Sequence, residues 1–360
     1  MTITSEIVYY WMHLASISRS KQNALLQECD SELDLWYDLD NIAFRSKLQD
    51  KLDLLQRFRD VNYISNKLDQ LDDRGIQLIS IKHKSYPVYL QNIYDPPKLL
   101  FAQGDVQLLE SNCVAVVGTR YCTRYGQLMS KKMVNDLVDC GLTIVSGLAT
   151  GIDTYAHRAA IDRNGNTIAV IAGGFDNIHP AINTNLSTNI ASQGLLLSEY
   201  APHIVPKPYM FVERNRIVSG LSHGVLVVEA GIKSGAMITA NLGLEQGRNI
   251  YCVPGNVNSS QSMGTNQLIK QGAMLVTDGI EIARDLRLIC ESATLHSTQQ
   301  VKLDFFEQQV YDVLMLKGKL SFDSLVDILQ CNARELAVIL TNMEIKSIIV
   351  KHPNNLYSCD

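Results

Sequence analysis

Residues 113–120 read Cys-Val-Ala-Val-Val-Gly-Thr-Arg, an apolar run that ends in a glycine, a hydroxyl and a cation. The run Val114–Val117 has no polar interruption, which is typical of a parallel strand buried on both faces of its sheet. Gly118 allows a sharp turn and a close approach of the backbone to a ligand. Thr119 and Arg120 follow at once, and a helical pattern begins a few residues later. In an open α/β sheet, this order places a phosphate outside the carboxyl end of the strand, near a helix N-terminus.

Six further apolar runs follow this strand, and each ends in small or polar residues. Helical patterns lie between most of them, and Ser234 is a candidate N-cap for one of these helices. This alternation predicts an α/β fold with a doubly wound, mostly parallel sheet. The six runs are Leu142–Val145, Thr167–Ile171, Leu195–Leu197, Val225–Val228, Ile250–Val253 and Ala273–Val276.

The segments before this core differ from it. Residues 1–70 contain no glycine and show a helical period, which predicts a small helical domain. The missing glycine hairpins favour packing or partner contact over DNA binding for this domain. Residues 71–110 contain two short strand patterns, which predict an extension docked on the core. We therefore place the core at residues 71–286.

The C-terminal segment predicts a separate domain. Residues 287–302 read as a linker, and residues 303–360 contain three helical patterns followed by a short hairpin. Ser321 and Asn332 are candidate N-caps of the second and third helices. This order suits a winged helix-turn-helix. The third helix contains Arg334 as its only Lys or Arg, which favours protein contact or autoregulation over reading DNA.

Composition narrows the class of protein. No apolar run approaches the ~18 residues of a membrane span, and no signal-peptide pattern begins the chain, so we expect a cytoplasmic protein without membrane contact. The 8 cysteines form no Cys-x-x-Cys pair, which favours free thiols over disulfides or a metal site. Residues 1–110 hold 12 Lys/Arg against 16 Asp/Glu, whereas residues 111–285 hold 13 against 12. We therefore expect any polyanion to bind the core.

Polar loops follow the strand ends, where the carboxyl edge of the sheet is expected. They bring four cations, Arg120, Arg214, Arg216 and Lys233, together with the hydroxyls of Thr119, Ser146 and Ser234. Backbone amides, hydroxyls and arginines suit phosphate oxygens. Neither Gly-x-Gly-x-x-Gly nor the Walker motif occurs, so the prediction of a phosphate site depends on the convergence of several loops. Besides 118–120, the loops are 146–153, 172–175, 213–220 and 229–236.

Candidates for catalysis are fewer. Glu199 and Glu229 end strands and could act as acid or base, but pairing with an arginine or capping of a helix is favoured because no nucleophile-base-orienter trio is evident. Asp153 is expected to stabilise a helix start, and His157 to pack locally. Phe175 is either a stacking platform for a base or a core aromatic. We predict no catalytic residue, metal ligand or cofactor.

The ordered motifs resemble the DNA-processing protein A family, DprA, also called Smf. The resemblance covers about 170 residues, 113–280. The matching segments are 114–120 (Val-Ala-Val-Val-Gly-Thr-Arg), 144–157 (Ile-Val-Ser-Gly-Leu-Ala-Thr-Gly-Ile-Asp-Thr-Tyr-Ala-His), 214–222 (Arg-Asn-Arg-Ile-Val-Ser-Gly-Leu-Ser), 227–240 (Val-Val-Glu-Ala-Gly-Ile-Lys-Ser-Gly-Ala-Met-Ile-Thr-Ala), 253–255 (Val-Pro-Gly) and 264–273 (Gly-Thr-Asn-Gln-Leu-Ile-Lys-Gln-Gly-Ala).

The resemblance implies a fold and a function. The fold is an extended Rossmann-like DNA-binding core, with a SAM-like or helix-hairpin-helix-like N-terminal domain and a C-terminal winged helix. Members bind single-stranded DNA in a pocket of the core, load the recombinase RecA onto incoming DNA during natural transformation, and protect that DNA from nucleases. They dimerise through the Rossmann domain and are not known as enzymes.

The resemblance also implies nucleic-acid-binding residues and a dimer contact, for which we expect residues 264–275. Two positions depart from the family pattern: Thr150 and Ala181 stand where many members have a cation. The predicted binding residues, with Lys233 added from its loop, are Gly118, Thr119, Arg120, Ser146, Gly147, Gly173, Gly174, Phe175, Arg214, Asn215, Arg216 and Lys233.

Two other functions compete with this one. The first is a nucleotide-processing enzyme on a related Rossmann fold, such as a phosphoribohydrolase of the lysine-decarboxylase-like family. Glu229, followed by Ser234 and Gly235, is the nearest hint of it, but the Pro-Gly-Gly-x-Gly-Thr run of such enzymes is missing. The second is a transcription regulator that acts through the winged helix, which the acidic third helix disfavours.

Overall fold

A computed structural model describes residues 2–288, 304–345 and 348–359 of the protein. The chain forms two compact units that divide at residue 290. The strands of the first unit are β1 (Ile76–Ser80), β2 (Leu99–Gly104), β3 (Cys113–Val117), β4 (Thr143–Ser146), β5 (Thr167–Ile171), β6 (Leu195–Ser198), β7 (Gly224–Val227), β8 (Asn249–Cys252) and β9 (Met274–Leu275).

The nine strands form one sheet in the order β1-β2-β6-β5-β4-β3-β7-β8-β9. The seven strands from β3 to β9 pair in parallel, and they are the seven that the sequence predicts. Strands β1 and β2 are antiparallel additions, because β2 pairs with β6 in the opposite direction. Residues 71–110 therefore extend the sheet itself.

The sheet reverses its winding direction beside β3. This strand pairs with β4 on one side and with β7 on the other, so the chain builds outward from β3 twice. A doubly wound α/β fold is thus confirmed. Parallel strands on both sides of such a reversal leave a crevice at their carboxyl ends, where ligands bind in this class of fold.

Seven helices precede or interrupt the antiparallel part of the sheet. Trp11 lies fully buried among them: its ring centroid is 5.0 Å from that of Trp36, and its Nε1 donates to the Leu55 carbonyl at 2.9 Å. Phe101 of β2 belongs to the same apolar cluster, so the first six of these helices pack on the β1–β2 end of the sheet, whereas Leu90 of the seventh belongs to another cluster. They are α1 (Ser5–Leu14), α2 (Arg19–Gln27), α3 (Glu32–Tyr37), α4 (Leu39–Arg45), α5 (Leu52–Arg57), α6 (Val61–Asp72) and α7 (Val88–Gln91). Helix α6 runs past residue 70, and a domain boundary there stays a prediction.

Helices cover both faces of the parallel strands. In β3, Ala115 and Val117 belong to one apolar cluster, whereas Val114 and Val116 belong to another. Alternate side chains of a strand point to opposite faces, so both faces are buried, as the continuous apolar run predicts. The helices are α8 (Arg124–Asp139), α9 (Ile152–Asp162), α10 (Thr184–Gln193), α11 (Pro208–Gly220), α12 (Gly235–Glu245), α13 (Met263–Lys270) and α14 (Gly279–Asp285).

Within residues 304–345 and 348–359, the second unit forms three helices and a three-stranded antiparallel sheet in the order β10-β12-β11. Ser321 accepts a hydrogen bond from the Ser324 N–H and Asn332 from the Arg334 N–H, so both predicted N-caps are confirmed. The assignment as a winged helix stays a prediction, and most of the predicted linker, 287–302, lies outside the described residues. The elements are α15 (Phe305–Lys317), β10 (Leu320–Ser321), α16 (Phe322–Leu329), α17 (Ala333–Ile345), β11 (Ile349–His352) and β12 (Leu356–Cys359).

Within residues 2–288, 304–345 and 348–359, no helix is long and apolar enough to cross a membrane.

The two units are expected to unfold separately, and helix α17 offers a matched pair of substitutions to test it. Leu340 is 1% exposed and Val338 is 61% exposed. Leu340→Ala should destabilise only the C-terminal unit, by about 2–5 kcal/mol, because it leaves a cavity in that core. Val338→Ala should change stability by about 0.5 kcal/mol or less. Differential scanning calorimetry of the full chain would show one shifted transition; a shift of every transition would contradict separate unfolding.

Candidate functional site

A cavity of about 460 Å³ lies at the carboxyl ends of β3 and β7, where the sheet reverses its winding. Its lining comes from the turn after β3, the loop after β4, helix α11 and the segment after β7. The volume falls in the range of roughly 300–1,000 Å³ that is usual for ligand sites. The cavity therefore occupies the position at which this class of fold binds its ligands.

The turn after β3 forms one wall and requires a glycine. A Cβ on Gly118 would lie 2.4 Å from Ile152 Cγ1 and 2.9 Å from the Glu229 carbonyl oxygen. The next residue, Thr119, is buried and donates its N–H to the same Glu229 carbonyl at 2.7 Å. Arg120 is exposed at the mouth, with its guanidinium carbon 5.6 Å from the ring centroid of Phe211. This wall thus presents an exposed cation on a fixed backbone.

The Glu229 carboxylate holds the start of helix α8. It accepts hydrogen bonds from the Thr123 N–H at 2.9 Å and from the Thr123 hydroxyl at 2.6 Å. Gly126 leaves the necessary room, because a Cβ there would lie 2.1 Å from Glu229 Oε2. Glu229 is 1% exposed and does not line the cavity. Helix capping, the role that the sequence favours for Glu229, fits these contacts.

The floor of the cavity contains a buried pair of opposite charges, Asp153 and Arg214. Asp153 Oδ2 accepts from the N–H groups of Gly147 at 3.1 Å and Ala149 at 3.4 Å, which fixes the loop after β4. Burial raises the pKa of Asp153, and the positive charge of Arg214 opposes that rise. The Asp153 carboxylate therefore orders the preceding loop in addition to sitting at the start of α9.

Arg214 is buried and donates its Nη1 hydrogen to the Val170 carbonyl at 2.5 Å. Burial lowers the pKa of Arg214 to about 10, and Asp153 limits the fall, so the guanidinium remains charged near neutral pH. Its Nε has no hydrogen-bond partner within the described ranges. Gly147 makes room for the guanidinium, since a Cβ there would lie 2.0 Å from Nη1. Arg214 thus lines the cavity as a buried cation whose Nε donor is unused.

The structure brings most of the predicted binding residues together. Asn215 follows Arg214 on helix α11, and Lys233 is exposed in the segment after β7. Among the described residues that line the cavity there are three cations and one carboxylate, Asp153, so the lining carries net positive charge. The predicted residues that line it are Gly118, Thr119, Arg120, Gly147, Arg214, Asn215 and Lys233.

Arg216 lies outside this cavity. The segment 213–220, predicted as a loop, is part of helix α11, so that expectation is wrong. Residues two apart on a helix point in different directions, and Arg216 faces away from Arg214. Arg216 Nη2 instead pairs with Glu199 Oε1 at 2.5 Å, and Arg19 of helix α2 lies 3.7 Å from the other Glu199 oxygen. Glu199 is therefore ion-paired, which is the role that the sequence favours for it.

Four further predicted residues also lie outside the cavity lining. Ser146 is buried and donates its hydroxyl to the Val116 carbonyl at 2.7 Å. Gly173 and Gly174 pack against residues 201–206, with a Gly174 Cβ placed 2.1 Å from the Pro202 carbonyl oxygen. Phe175 is half-buried and packs against the apolar cluster of the N-terminal helices. These contacts favour the core-aromatic interpretation of Phe175.

His157 packs locally, as the sequence predicts, and Thr150 and Ala181 do not line the cavity. His157 is fully buried, and its Nδ1 lies 2.7 Å from the Thr167 hydroxyl. No group of three His, Cys, Asp or Glu residues suited to a metal ion occurs in the described part of the chain.

Two aromatic residues of the cavity are not identified by the sequence analysis. Tyr121 follows Arg120 and is 84% exposed. Phe211 lies on helix α11, with its ring 5.3 Å from that of His179. Phe211 precedes Arg214 by three residues, and residues at that spacing share a helix face. If helix α11 had been predicted from the sequence, the three-residue spacing would have placed Phe211 beside Arg214.

Comparisons with known proteins agree with this architecture. The sequence profile described as DNA recombination-mediator protein A matches residues 77–287. The DNA processing protein DprA of Bacillus subtilis is 44% identical over 215 residues, which are 59% of this chain and 72% of that protein. The Smf protein of Escherichia coli is 42% identical over 225 residues, which are 62% of this chain and 60% of that protein.

Two solved structures share the fold. DprA of Streptococcus pneumoniae matches with a TM-score of 0.69 and 35% identity, covering 79% of this chain and 99% of that one. DNA processing protein A of Helicobacter pylori, described for its single-stranded DNA binding mode, matches with a TM-score of 0.54 and 32% identity, covering 59% and 95%.

Adding one methyl group beneath Arg214 should disturb the cavity floor. Gly147→Ala would place a Cβ 2.0 Å from the guanidinium, so either Arg214 or the loop must move. We expect a loss of about 1–3 kcal/mol in the free energy of unfolding, as for other overpacked sites. Gly235→Ala is the matched control, because a Cβ there meets nothing within 4 Å. Urea unfolding measures both; equal stability of the two variants would show that Gly147 is not required by Arg214.

Lowering the pH should decrease the free energy of unfolding because His157 is buried in its neutral form. Burial, aided by Arg214, lowers the pKa of His157 to about 3. Below the ordinary histidine pKa of about 6.5, His157 is protonated in the unfolded chain but stays neutral in the folded chain. The free energy of unfolding therefore falls as the pH falls. His157→Asn keeps an amide near Thr167 and cannot titrate. The stability advantage of the wild type over this variant should shrink by roughly 2 kcal/mol between pH 7 and pH 5; a constant difference in chemical unfolding would contradict the assignment.

Proposed function

This chain belongs to the DNA recombination-mediator protein A family, and from that membership we propose that it binds single-stranded DNA as a recombination mediator without catalysis. The observation that supports the proposal most directly is the cavity at the sheet reversal. It combines exposed Arg120 and Lys233 with buried Arg214, and these cations suit phosphate oxygens. The Helicobacter pylori relative, named for its single-stranded DNA binding mode, supports the same ligand.

A strand fits this site better than a free mononucleotide does. The fingerprint motifs for dinucleotides and nucleoside triphosphates are missing from the sequence. The cations at the mouth are exposed, so a phosphate bound there can continue into neighbouring nucleotides. Single-stranded DNA binding generally combines a positive groove with aromatic side chains, and both kinds of residue meet at this mouth.

The contacts of the candidate acids support a role without catalysis. The Glu229 carboxylate is engaged by Thr123, and the Glu199 carboxylate by Arg216. A general acid or base must reach the proton that it transfers, and neither carboxylate lines the cavity. The phosphoribohydrolase alternative assigns its chemistry to Glu229, so these contacts disfavour it.

The proposal includes the further roles that the family resemblance implies. We infer that the protein loads RecA onto incoming single strands in natural transformation, protects those strands, and acts in the cytoplasm as a homodimer through its core. Residues 264–275 remain the proposed dimer contact. Their edge strand, β9, exposes Met274 and Leu275, which is compatible with such a contact. The C-terminal unit is proposed as a winged helix that contacts protein.

Removal of the exposed arginine should weaken binding to every base sequence. Arg120→Ala deletes a cation that would neutralise one phosphate, so the slope of log K against log salt for single strands should decrease by about 0.7. Fluorescence anisotropy with labelled oligonucleotides at several salt concentrations measures affinity and slope together.

Arg163→Ala is the control for Arg120→Ala, because Arg163 is exposed beside Asp139 at the end of α9 remote from the cavity. It should leave both affinity and slope unchanged. If Arg120→Ala keeps the affinity and salt slope of the wild type, the cavity is not the DNA-binding site.

A further inference from the structure

Tyr121 is 84% exposed at the mouth of the cavity and contributes to the cavity lining. We propose that Tyr121 is a stacking platform for a nucleobase of the strand whose phosphate Arg120 holds. This inference rests on the proposed function, and it assigns a base-binding subsite beside the phosphate site. The ligand class is the π-face of a base in single-stranded DNA.

The backbone beneath this ring is fixed. The Tyr121 N–H donates to the Thr119 hydroxyl at 3.2 Å, and the Thr119 N–H donates to the Glu229 carbonyl at 2.7 Å. Gly151 closes on the same turn, since a Cβ there would lie 2.2 Å from the Thr119 carbonyl oxygen. A base that stacks on Tyr121 therefore has to order only the side chain. A tyrosine has few rotatable bonds, so this cost is small.

The Tyr121 ring is free to accept a base, whereas the other aromatic rings near the mouth are engaged. Phe211 is faced by the guanidinium of Arg120 and by the ring of His179. Tyr125 donates its hydroxyl to the Pro254 carbonyl at 2.7 Å. Within residues 2–288, the side chain of Tyr121 has neither a ring contact nor a hydrogen bond. Its faces are thus open to a ligand.

Position, rather than exposure, singles out Tyr121. Tyr94 is also fully exposed, yet it lies away from the cavity. Tyr121 directly follows Arg120, and consecutive Cα atoms are about 3.8 Å apart. A nucleotide carries its phosphate and its base on one sugar, so a cation and a free aromatic ring on consecutive residues of one cavity suit the two ends of one nucleotide. Stacking of this kind tolerates any base, because every base has a π-face.

The test compares two oligonucleotides of equal length, one of thymidines and one with abasic sites in place of the bases. Loss of a stacked base costs about 1–3 kcal/mol by alanine substitution, so Tyr121→Ala should bind the thymidine strand about 5- to 150-fold more weakly. On the abasic strand, Tyr121→Ala should bind like the wild type. Tyr121→Phe should retain affinity for both strands, and the salt slope of each variant should stay unchanged, since no charge is removed.

Tyr94→Ala is the matched control and should bind both strands as the wild type does. Wild-type affinity of Tyr121→Ala for the thymidine strand, or an equal loss on the abasic strand, would overturn the stacking subsite. If Arg120→Ala still loses affinity in that case, the proposed function stands and only this inference fails. Absence of single-strand binding by the wild-type chain would overturn both.

Discussion

The electrostatic attraction between the buried charges of Asp153 and Arg214 is the interaction on which the site depends. A buried charge without an opposite charge or hydrogen bonds is strongly destabilising, and the opposite charges of these two residues lower that cost for each other. Asp153 also accepts two backbone N–H groups of the loop after β4, and Arg214 extends across to the Val170 carbonyl of β5. The hydrogen bonds of Asp153 therefore fix the loop after β4, and that of Arg214 connects helix α11 to β5. Gly147 follows from the same constraint, because no side chain fits beside the guanidinium.

The sheet decides where this pair can act. Strand β3 pairs with β4 and β7, so its carboxyl end is the only one from which the chain winds outward in both directions within the described residues. The loops after these three strands are pushed apart by helices on opposite faces, and the crevice between them is the cavity. Glu229 holds the opposite wall by engaging Thr123 and the turn at Thr119. The buried carboxylates of Asp153 and Glu229 thus fix the backbone on two sides of the cavity.

The sequence predicts the strands well and the site only in part. Buried parallel strands are continuous apolar runs, and the glycines and cations after them mark the carboxyl edge, which is why residues 118–120 and Lys233 are found. Helix α11 is missed because it is buried on several sides, and its buried members include Arg214 and Arg216 among apolar residues. Such a helix has no polar stripe to reveal its period. Without the helix, the sequence groups Arg216 with Arg214, and Phe211 has no visible link to the site.

The missing cation at position 150 bears on how the proposed DNA site works. Asp153 partly neutralises Arg214 in the floor, so the charge available to a phosphate at the mouth is that of Arg120 and Lys233. A cation at position 150 would have extended from the loop that lines the cavity at Ala149; Thr150 provides none. With less positive charge, a smaller share of the binding free energy comes from counterion release. In the proposed complex with single-stranded DNA, contacts with bases, which do not depend on salt, would then supply a larger share, and the proposed stacking on Tyr121 is such a contact.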